Sequence, residues 1–594
     1  MRENLVERLL QHARTVPDKD AVVFVRMHGA EPMPERVTYA ELDRDARAIA
    51  EWLRGRCSAG DRALLLYPNG LDFVRAFVGC LYAGVIAIPA PVPDNNGRRG
   101  SRTSAIADNA QVRLVLTDSG HLESVTEAVQ QSGLEDVPCV ATDATDFGDG
   151  ANGTVLRPDA DTVAFLQYTS GSTSDPKGVI VPHRSLTANL RFIADSFGLD
   201  HDDTVSCSWL PLYHDMGLIG MLLTPLLIGG TAVLMAPGDF LRRPHAWLRL
   251  FQDHRGTFTA APNFAYDMCV RRVSQQQLAQ LDLSTLQAAV NGAEPVIAAT
   301  VDRFNKYFAP AGLRPEAVKP SYGMAEATLL VTGTPHGRGQ LITRVDGAEL
   351  EQNRFVPQSE DGDGPLMVSS GPVDRLDVRI VDPVTRASQP DGRIGEVWLR
   401  GESLAVGYWN NAAETERAFN AETSDGEQGF LRTGDLGVLS GGELYITGRS
   451  KDVIIIHGRN LYPHDIERET SHLHSALHGL QGSACVVPVG QEEEIVVMHE
   501  LSPVESAGLD LAALARGIRE ELAATFRVRL PSVVLLRPGH VRRTTSGKVQ
   551  RALMRELFMT GGLKTVHEEL SAEVSRRYRA GDADGATAAP GDAA

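Results

Sequence analysis

The sequence predicts an α/β fold with parallel sheets covered by helices, followed by a small β-rich stretch and a closing α+β unit. Three observations carry that expectation. Short apolar runs alternate with helical periodicity through about residue 335, as in sheets flanked by helices. Strands then follow one another across short turns. From about residue 450 strands and helices mix again.

The elements follow in order. Leu5, Leu9 and Ala13 recur every four residues and predict an amphipathic helix that stops before Pro17. Ala21 to Val25 reads as a strand. Thr38 and Glu41 form a capping box for a helix whose apolar face is Leu42, Ala46, Ile49, Ala50 and Leu53. Strands are expected at Ala63–Tyr67, Val85–Ile88 and Val112–Leu116, and their continuous apolar character implies burial on both faces. Between about 335 and 370 the chain is polar and rich in Gly, Asp and Glu, with a turn at Asp361–Gly364. Strands resume at Asp377–Val381 and Gly395–Arg400. The closing unit is expected to hold strands at Cys485–Val489, Ile495–Met498 and Val533–Leu536 and a helix over Leu511–Phe526. A second helix should follow Gly547, with Val549, Leu553 and Leu557 on one face. A disordered tail is expected over 579–594, which from Gly581 holds only Ala, Gly, Asp, Thr and Pro. No internal repeat is visible.

Composition narrows the function classes. The 594 residues correspond to roughly four average domains. With 58 basic and 76 acidic side chains the net charge is −18, which argues against a nucleic-acid binder. The six cysteines are scattered, so neither a disulfide framework nor a Cys-x-x-Cys site is indicated. Charges stand where a signal peptide needs its apolar core. Gly217–Ala236 has twenty uncharged residues, but its four glycines and Pro225 indicate a buried helix and strand rather than a membrane span. A cytoplasmic protein without a transmembrane segment is expected.

The chemistry concentrates in a few stretches. Leu166–Val179 runs from a strand into a loop of small and hydroxyl-bearing residues, then Lys177 and Gly178. Small side chains let backbone N–H groups approach phosphate oxygens, and a lysine adds charge. The Walker A spacing is absent, and on composition alone a polar surface loop is the alternative reading. Five further stretches accompany it: Asn291–Glu294, Ser321–Glu326, Leu431–Asp435, Gly448–Asp452 and Thr544–Lys548.

In this order and spacing, these six stretches resemble the signatures of the adenylate-forming (ANL) superfamily, over about residues 5 to 560. The resemblance is strongest to the fatty acyl-AMP ligases, through Trp209–Gly220 and Ser450–Ile466. The polar segment at about 338–366 stands where those ligases carry an insertion that is thought to restrain the C-terminal domain and disfavour CoA. Glu326 to Val378 spans 52 positions, which fits such an insertion.

The resemblance implies a large N-terminal AMP- and acyl-binding domain, 1–450, of two helix-covered sheets plus a small β-rich subdomain. A small mobile α+β C-terminal domain, 451–578, would follow. It implies ATP and Mg²⁺, with Thr169, Ser170, Gly171, Ser172, Thr173 and Lys177 around the β- and γ-phosphates. Glu326 becomes the Mg²⁺ ligand, a hard carboxylate suited to a phosphate-bridging cation. Tyr322 is expected to stack on adenine, within Ser321, Tyr322, Gly323 and Met324, with Asn291, Gly292 and Ala293 lining the base pocket. Asp435 suits the ribose hydroxyls, with Arg449 near ribose or phosphate. Lys548 is the expected catalytic lysine of adenylation, and Lys451 the hinge. His214 either borders the carboxylate end of the acyl group or packs beneath the site. Apolar residues of Leu210–Leu234 and Phe264–Met268 can wall a fatty chain, at about 0.8 kcal/mol per buried CH₂, or simply form core.

The function so implied is activation of a medium- or long-chain fatty acid to its adenylate, then transfer to the phosphopantetheine of an acyl carrier protein acting in trans. Polyketide or lipopeptide assembly is the implied setting. The alternatives are a fatty acyl-CoA synthetase and a non-catalytic nucleotide-binding paralogue. Arg537, Arg542, Arg543, Arg551 and Arg555 could form a basic carrier-docking patch or a solvated helix face. His472, His474 and His478 lie close together, the last two at i, i+4 on an expected helix, yet no ligand pattern completes a metal site. No Gly-x-Ser-x-Gly elbow supports a hydrolase.

Overall fold

A computed structural model describes residues 4–579 except 30, 94–97, 151–152, 170–175, 202, 457–458, 491 and 545–546. The expected tail lies, beyond Arg579, outside the described residues, as do Ser170, Gly171, Ser172 and Thr173.

The α/β expectation holds, with two large sheets at its centre. In the eight-stranded sheet the order is Leu330–Gly333, Val318–Gly323, Ala288–Asn291, Phe258–Ala261, Val205–Ser208, Thr231–Met235, Asp20–His28 and Glu31–Thr38. Its interior pairs are parallel, but both edge pairs are antiparallel. The six-stranded sheet runs Cys139–Ala141, Leu114–Thr117, Arg62–Leu66, Ile86–Ala90, Val163–Tyr168 and Gly178–Pro182. It too is parallel except at one edge, where Val163–Tyr168 turns back antiparallel into Gly178–Pro182. The sheets are thus mixed rather than purely parallel.

The capping boxes form as the sequence dictates. Asn4 and Glu7 close the first helix, Leu5–Thr15, and Thr38 and Glu41 close Tyr39–Arg54. The uncharged stretch becomes a π-helix (Met216–Leu223), a short α-helix (Thr224–Ile228) and the buried strand Thr231–Met235. Among the described residues no helix is long and apolar enough to cross a membrane.

The β-rich unit is a four-stranded antiparallel sheet in the order Asp377–Val381, Gly395–Arg400, Leu431–Ser440 and Glu443–Arg449. The polar segment before it is folded, with strands Ile342–Arg344 and Leu366–Val368 paired and a helical turn at Gly347–Leu350. Val345, Leu350 and Phe355 from this segment pack with Ile394, Val438 and Tyr445 into a small core.

The last unit is a four-stranded sheet of Gly482–Val489, Glu492–Glu500, Ser532–Leu536 and Thr565–Glu569. Its apolar side chains form two clusters, neither with a buried member before Ile454. The helix Leu511–Phe526 forms as expected. The following helix begins later, at Arg551, and buries Met554 and Phe558 rather than Leu553 and Leu557. His474 and His478 do not share a helix: Pro463–His472 ends first, and His474 caps a single 3₁₀ turn through Ala476 N–H at 3.1 Å.

Candidate active site

Parallel strands bring their C-terminal ends to one edge of a sheet, and the site residues collect there. Ala261, Asn291 and Pro320 are neighbours across three adjacent strands. Asn291 is fully buried; its Nδ2 donates to Asn263 Oδ1 at 3.2 Å, while its own Oδ1 has no partner among the described residues. Ala293 adopts a left-handed φ of 66°, unusual without glycine, which turns the chain sharply after Gly292.

On the next strand Ser321 donates its hydroxyl to Lys319 O at 3.1 Å, so this side chain turns into the sheet. Tyr322 is buried, and its hydroxyl donates to Asp435 Oδ2 at 2.7 Å. Gly323 is forced by a close approach: a Cβ there would lie 2.1 Å from Leu329 O, which accepts the Met324 N–H at 2.9 Å. Asp435 and Arg449 are cross-strand partners in the β-rich sheet, and Arg449 Nε lies 3.2 Å from Asp435 Oδ1. Tyr322, Asp435 and Arg449 therefore form one polar cluster, as their predicted shared role requires.

Glu326 lies on a 3₁₀ turn just past that strand. Tyr408 donates its hydroxyl to Glu326 Oε1 at 2.8 Å. Burial pushes the Glu326 carboxyl up, and the Tyr408 bond pulls it back down. Tyr408 also faces Lys177: the lysine Nζ lies 5.2 Å from the ring centroid and pairs with Glu414. Lys177 and Thr169 hold the two ends of the hydroxyl-rich loop. Tyr168 pairs with Gly178, and Thr169 N–H donates to Lys177 O at 3.1 Å. The residues between these stems thus join two antiparallel strands rather than a strand and a helix.

On the acyl side Trp209 stacks on Phe240 at 4.0 Å between centroids and meets Phe264 edge-on at 6.1 Å. His214 sits on the turn before the π-helix, its ring 4.8 Å from that of Tyr213, and Asp215 beside it caps Met216 N–H at 2.7 Å. Glu294 accepts Phe264 N–H at 2.5 Å.

Lys548 reaches this centre from the far end of the sequence. Its loop is closed by Thr544 N–H to Lys548 O at 2.8 Å. Gly547 packs on Phe264, where a Cβ would lie 2.9 Å from the ring. Burial and Arg449 lower the Lys548 ammonium's pKa, while Asp215, Asp435 and Glu294 oppose that shift. Lys451 lies in a turn directly after the strand ending at Arg449, and burial lowers its pKa as well.

The structure brings together Lys548, Glu326, Tyr322, Asp435, Arg449 and Lys177 from separate sequence stretches. Asp215 and Glu294 sit inside motifs the sequence already marked, and an acidic residue at a motif's end was the available signal. Tyr408 and Glu414 carried no signal. Of the five arginines near Lys548, two are engaged internally: Arg551 pairs with Glu467 at 2.6 Å, and Arg555 donates to Val486 O at 2.7 Å. Arg537 and Arg543 are exposed.

Comparison with known proteins gives a family and near relatives. The family model described as "AMP-binding enzyme" matches residues 9–409. The medium-chain-fatty-acid–[acyl-carrier-protein] ligase JamA of Moorena producens is 41% identical over 539 residues, 89% of this chain and 90% of that protein. The long-chain-fatty-acid–AMP ligase FadD26 of Mycobacterium marinum is 38% identical over 571 residues, 93% of this chain and 97% of that one. A crystal structure of a fatty acid AMP ligase from Legionella pneumophila superposes with a TM-score of 0.74 at 36% identity, covering 96% and 98% of the two chains. A further Legionella structure, in complex with acyl adenylate and pyrophosphate, gives 0.73 at 36% identity over the same shares.

Proposed function

The chain belongs to the AMP-binding enzyme family, and from that premise we propose that it activates a medium- or long-chain fatty acid with ATP and passes the acyl group to the phosphopantetheine thiol of an acyl carrier protein in trans. One observation carries the reading. Lys548 lies within electrostatic reach of Asp435 and Arg449, partners of Tyr322, while its neighbour Gly547 packs on Phe264 of the Trp209–Phe264 wall.

In the first step a carboxylate oxygen attacks the α-phosphorus of ATP, the bond to the bridging oxygen breaks, and pyrophosphate leaves. Positioning and charge neutralisation supply the rate. Tyr322, Met324 and the backbone of Asn291–Ala293 hold the base, and Asp435 and Arg449 the ribose. Thr169 and Lys177, with Ser170, Gly171, Ser172 and Thr173, take the β- and γ-phosphates. Lys548 bridges carboxylate and α-phosphate, and His214 borders the carboxylate. In the second step the thiol sulfur attacks the acyl carbonyl, AMP leaves, and the thiol proton goes to solvent.

Glu326 fits a Mg²⁺ ion: it is a hard carboxylate, its Oε1 takes the Tyr408 hydroxyl, and Mg²⁺ characteristically uses one or two carboxylates plus phosphates. Bound there, the ion would neutralise phosphate charge. Tyr408→Phe removes a bond that favours the ionised carboxyl, so the Glu326 pKa rises further. The Mg²⁺ concentration needed for half-maximal pyrophosphate release is expected to rise about tenfold, more at pH 6 than at pH 8. Equal Mg²⁺ dependence in both proteins at both pH values would remove Tyr408 from this role.

We assign 451–578 to a domain that turns about Lys451 between the two steps. Lys451→Pro fixes φ at the pivot and is expected to leave pyrophosphate release within about threefold while slowing thioester formation at least tenfold. Stopped assays of each step decide; equal loss in both argues against a pivot.

The relative named for an acyl-carrier-protein substrate supports a carrier over CoA, as does the inserted segment. Glu351 receives both Nε and Nη2 of Arg459 at 2.8 Å, and Glu351 O accepts the Asn460 N–H at 3.2 Å. The segment so tethers the last unit. The carrier-facing surface would use Arg537, Arg542 and Arg543, since Arg551 and Arg555 are engaged. Offering CoA and a holo carrier protein side by side, after adenylation is confirmed by hydroxamate trapping, tests the acceptor. Faster thioester formation on CoA would overturn it, and no hydroxamate from any fatty acid would overturn adenylation itself. The six cysteines without a disulfide and a thiol acceptor support a cytoplasmic setting.

A further inference from the structure

Among the carboxyls around Lys548, Glu294 is the one to which the proposed chemistry assigns no work. Asp435 is committed to Tyr322 and Arg449, and Asp215 to the start of the π-helix. Glu294 is built in at some cost. The chain reaches it through the left-handed Ala293, and its half-buried carboxyl sits at the first turn of the helix Asn263–Arg272. There it holds the Phe264 amide, and the helix N-terminus favours a negative charge at that point.

The other side of Phe264 meets the Lys548 loop. Gly547 takes φ 90° and lies so close that a Cβ would strike the Phe264 ring. Glu294 and the loop therefore grip one residue from opposite directions. The charged groups facing Glu294 are Lys548 and Arg543 from the loop and Asp267 from the helix Asn263–Arg272. Asp267 is matched by Arg271 and Arg303, both at 2.8 Å. The remaining balance is one carboxylate against two cations of the C-terminal unit.

We infer that Glu294 is a positioning residue for adenylation: it holds the Phe264 amide while Gly547 packs on the Phe264 ring, and its charge keeps Lys548 and Arg543 in place there. This inference rests on the adenylation reading above. Burial pushes the Glu294 carboxyl up to about 7, with the Phe264 bond and the two cations opposing. The hold on Lys548 then depends on pH in the physiological range. Protonation weakens it, so an acid limb of adenylation near neutrality is expected from this group.

Glu294→Gln keeps an acceptor for Phe264 N–H and removes only the charge. Pyrophosphate release at pH 8 is expected to fall about tenfold in kcat, with KM for ATP and fatty acid within about twofold. The acid limb of the kcat profile should flatten, and thioester formation from supplied acyl-adenylate should stay within about twofold. Glu294→Ala, which also loses the Phe264 acceptor, should lower the melting temperature as Gln does not. A Gln variant with the kcat and pH profile of the parent overturns the inference and leaves Glu294 a helix cap. Equal losses in both half-reactions with a lowered melting temperature overturn it too. If the parent enzyme itself forms no acyl-adenylate, the underlying function reading has failed instead.

Discussion

Replacing Lys548 by alanine is expected to cut acyl-adenylate formation about a thousandfold while changing ATP affinity by less than about threefold. The asymmetry follows from where the lysine comes from. The proposed nucleotide contacts belong to the strand ends around Tyr322 and Asp435, whereas Lys548 enters on a loop of the last unit. Burial favours its neutral amine, and Asp215, Asp435 and Glu294 favour the ammonium. The alanine variant therefore removes a cation aimed at developing phosphoryl charge and leaves the ATP platform intact. ATP binding by titration, pyrophosphate release, and thioester formation from supplied acyl-adenylate separate these effects. Near-normal pyrophosphate release would remove Lys548 from the first step.

Asp435→Ala is expected to act on nucleotide binding instead, raising KM for ATP about a hundredfold with KM for fatty acid nearly unchanged. Two partners lose their acceptor together. The Tyr322 hydroxyl keeps only the weak Met324 sulfur acceptor at 3.8 Å in a buried position, at a cost of about 1–3 kcal/mol, and Arg449 loses its ion pair. The ring expected to stack on adenine is no longer fixed, and the ribose loses its acceptor. Asp435→Asn, which keeps the shape and drops the charge, should fall between. Initial rates with each substrate varied in turn provide the check; a matching rise in fatty-acid KM would point to general distortion of the sheet edge.

Much of the fold was legible because its strands carry their own signal. The run around Ala21–Val25 is continuously apolar and becomes the buried centre of Asp20–His28. Its hairpin partner, Glu31–Thr38, was invisible: it is polar, holds Pro32 and Pro34, and lies exposed along the sheet edge. Phe355 and Val345 gave no periodic pattern in the polar segment, because their partners Ile394, Val438 and Tyr445 are remote in sequence. The site divides the same way. Tyr322, Glu326, Asp435, Arg449 and Lys548 stand in recognisable motifs. Tyr408 meets Glu326 from 82 positions away, and Glu414 meets Lys177 from 237, so only folding reveals those pairs.

The hydroxyl-rich loop at the tip of the Val163–Tyr168 and Gly178–Pro182 hairpin has a consequence for how this site can vary. In a strand-to-helix turn, one added residue would rotate everything after it by about 100°. Here the paired stems fix the span at Tyr168 and Gly178. A change in the number of residues between them is therefore expected to leave the register of both strands, and the sheet behind them, in place.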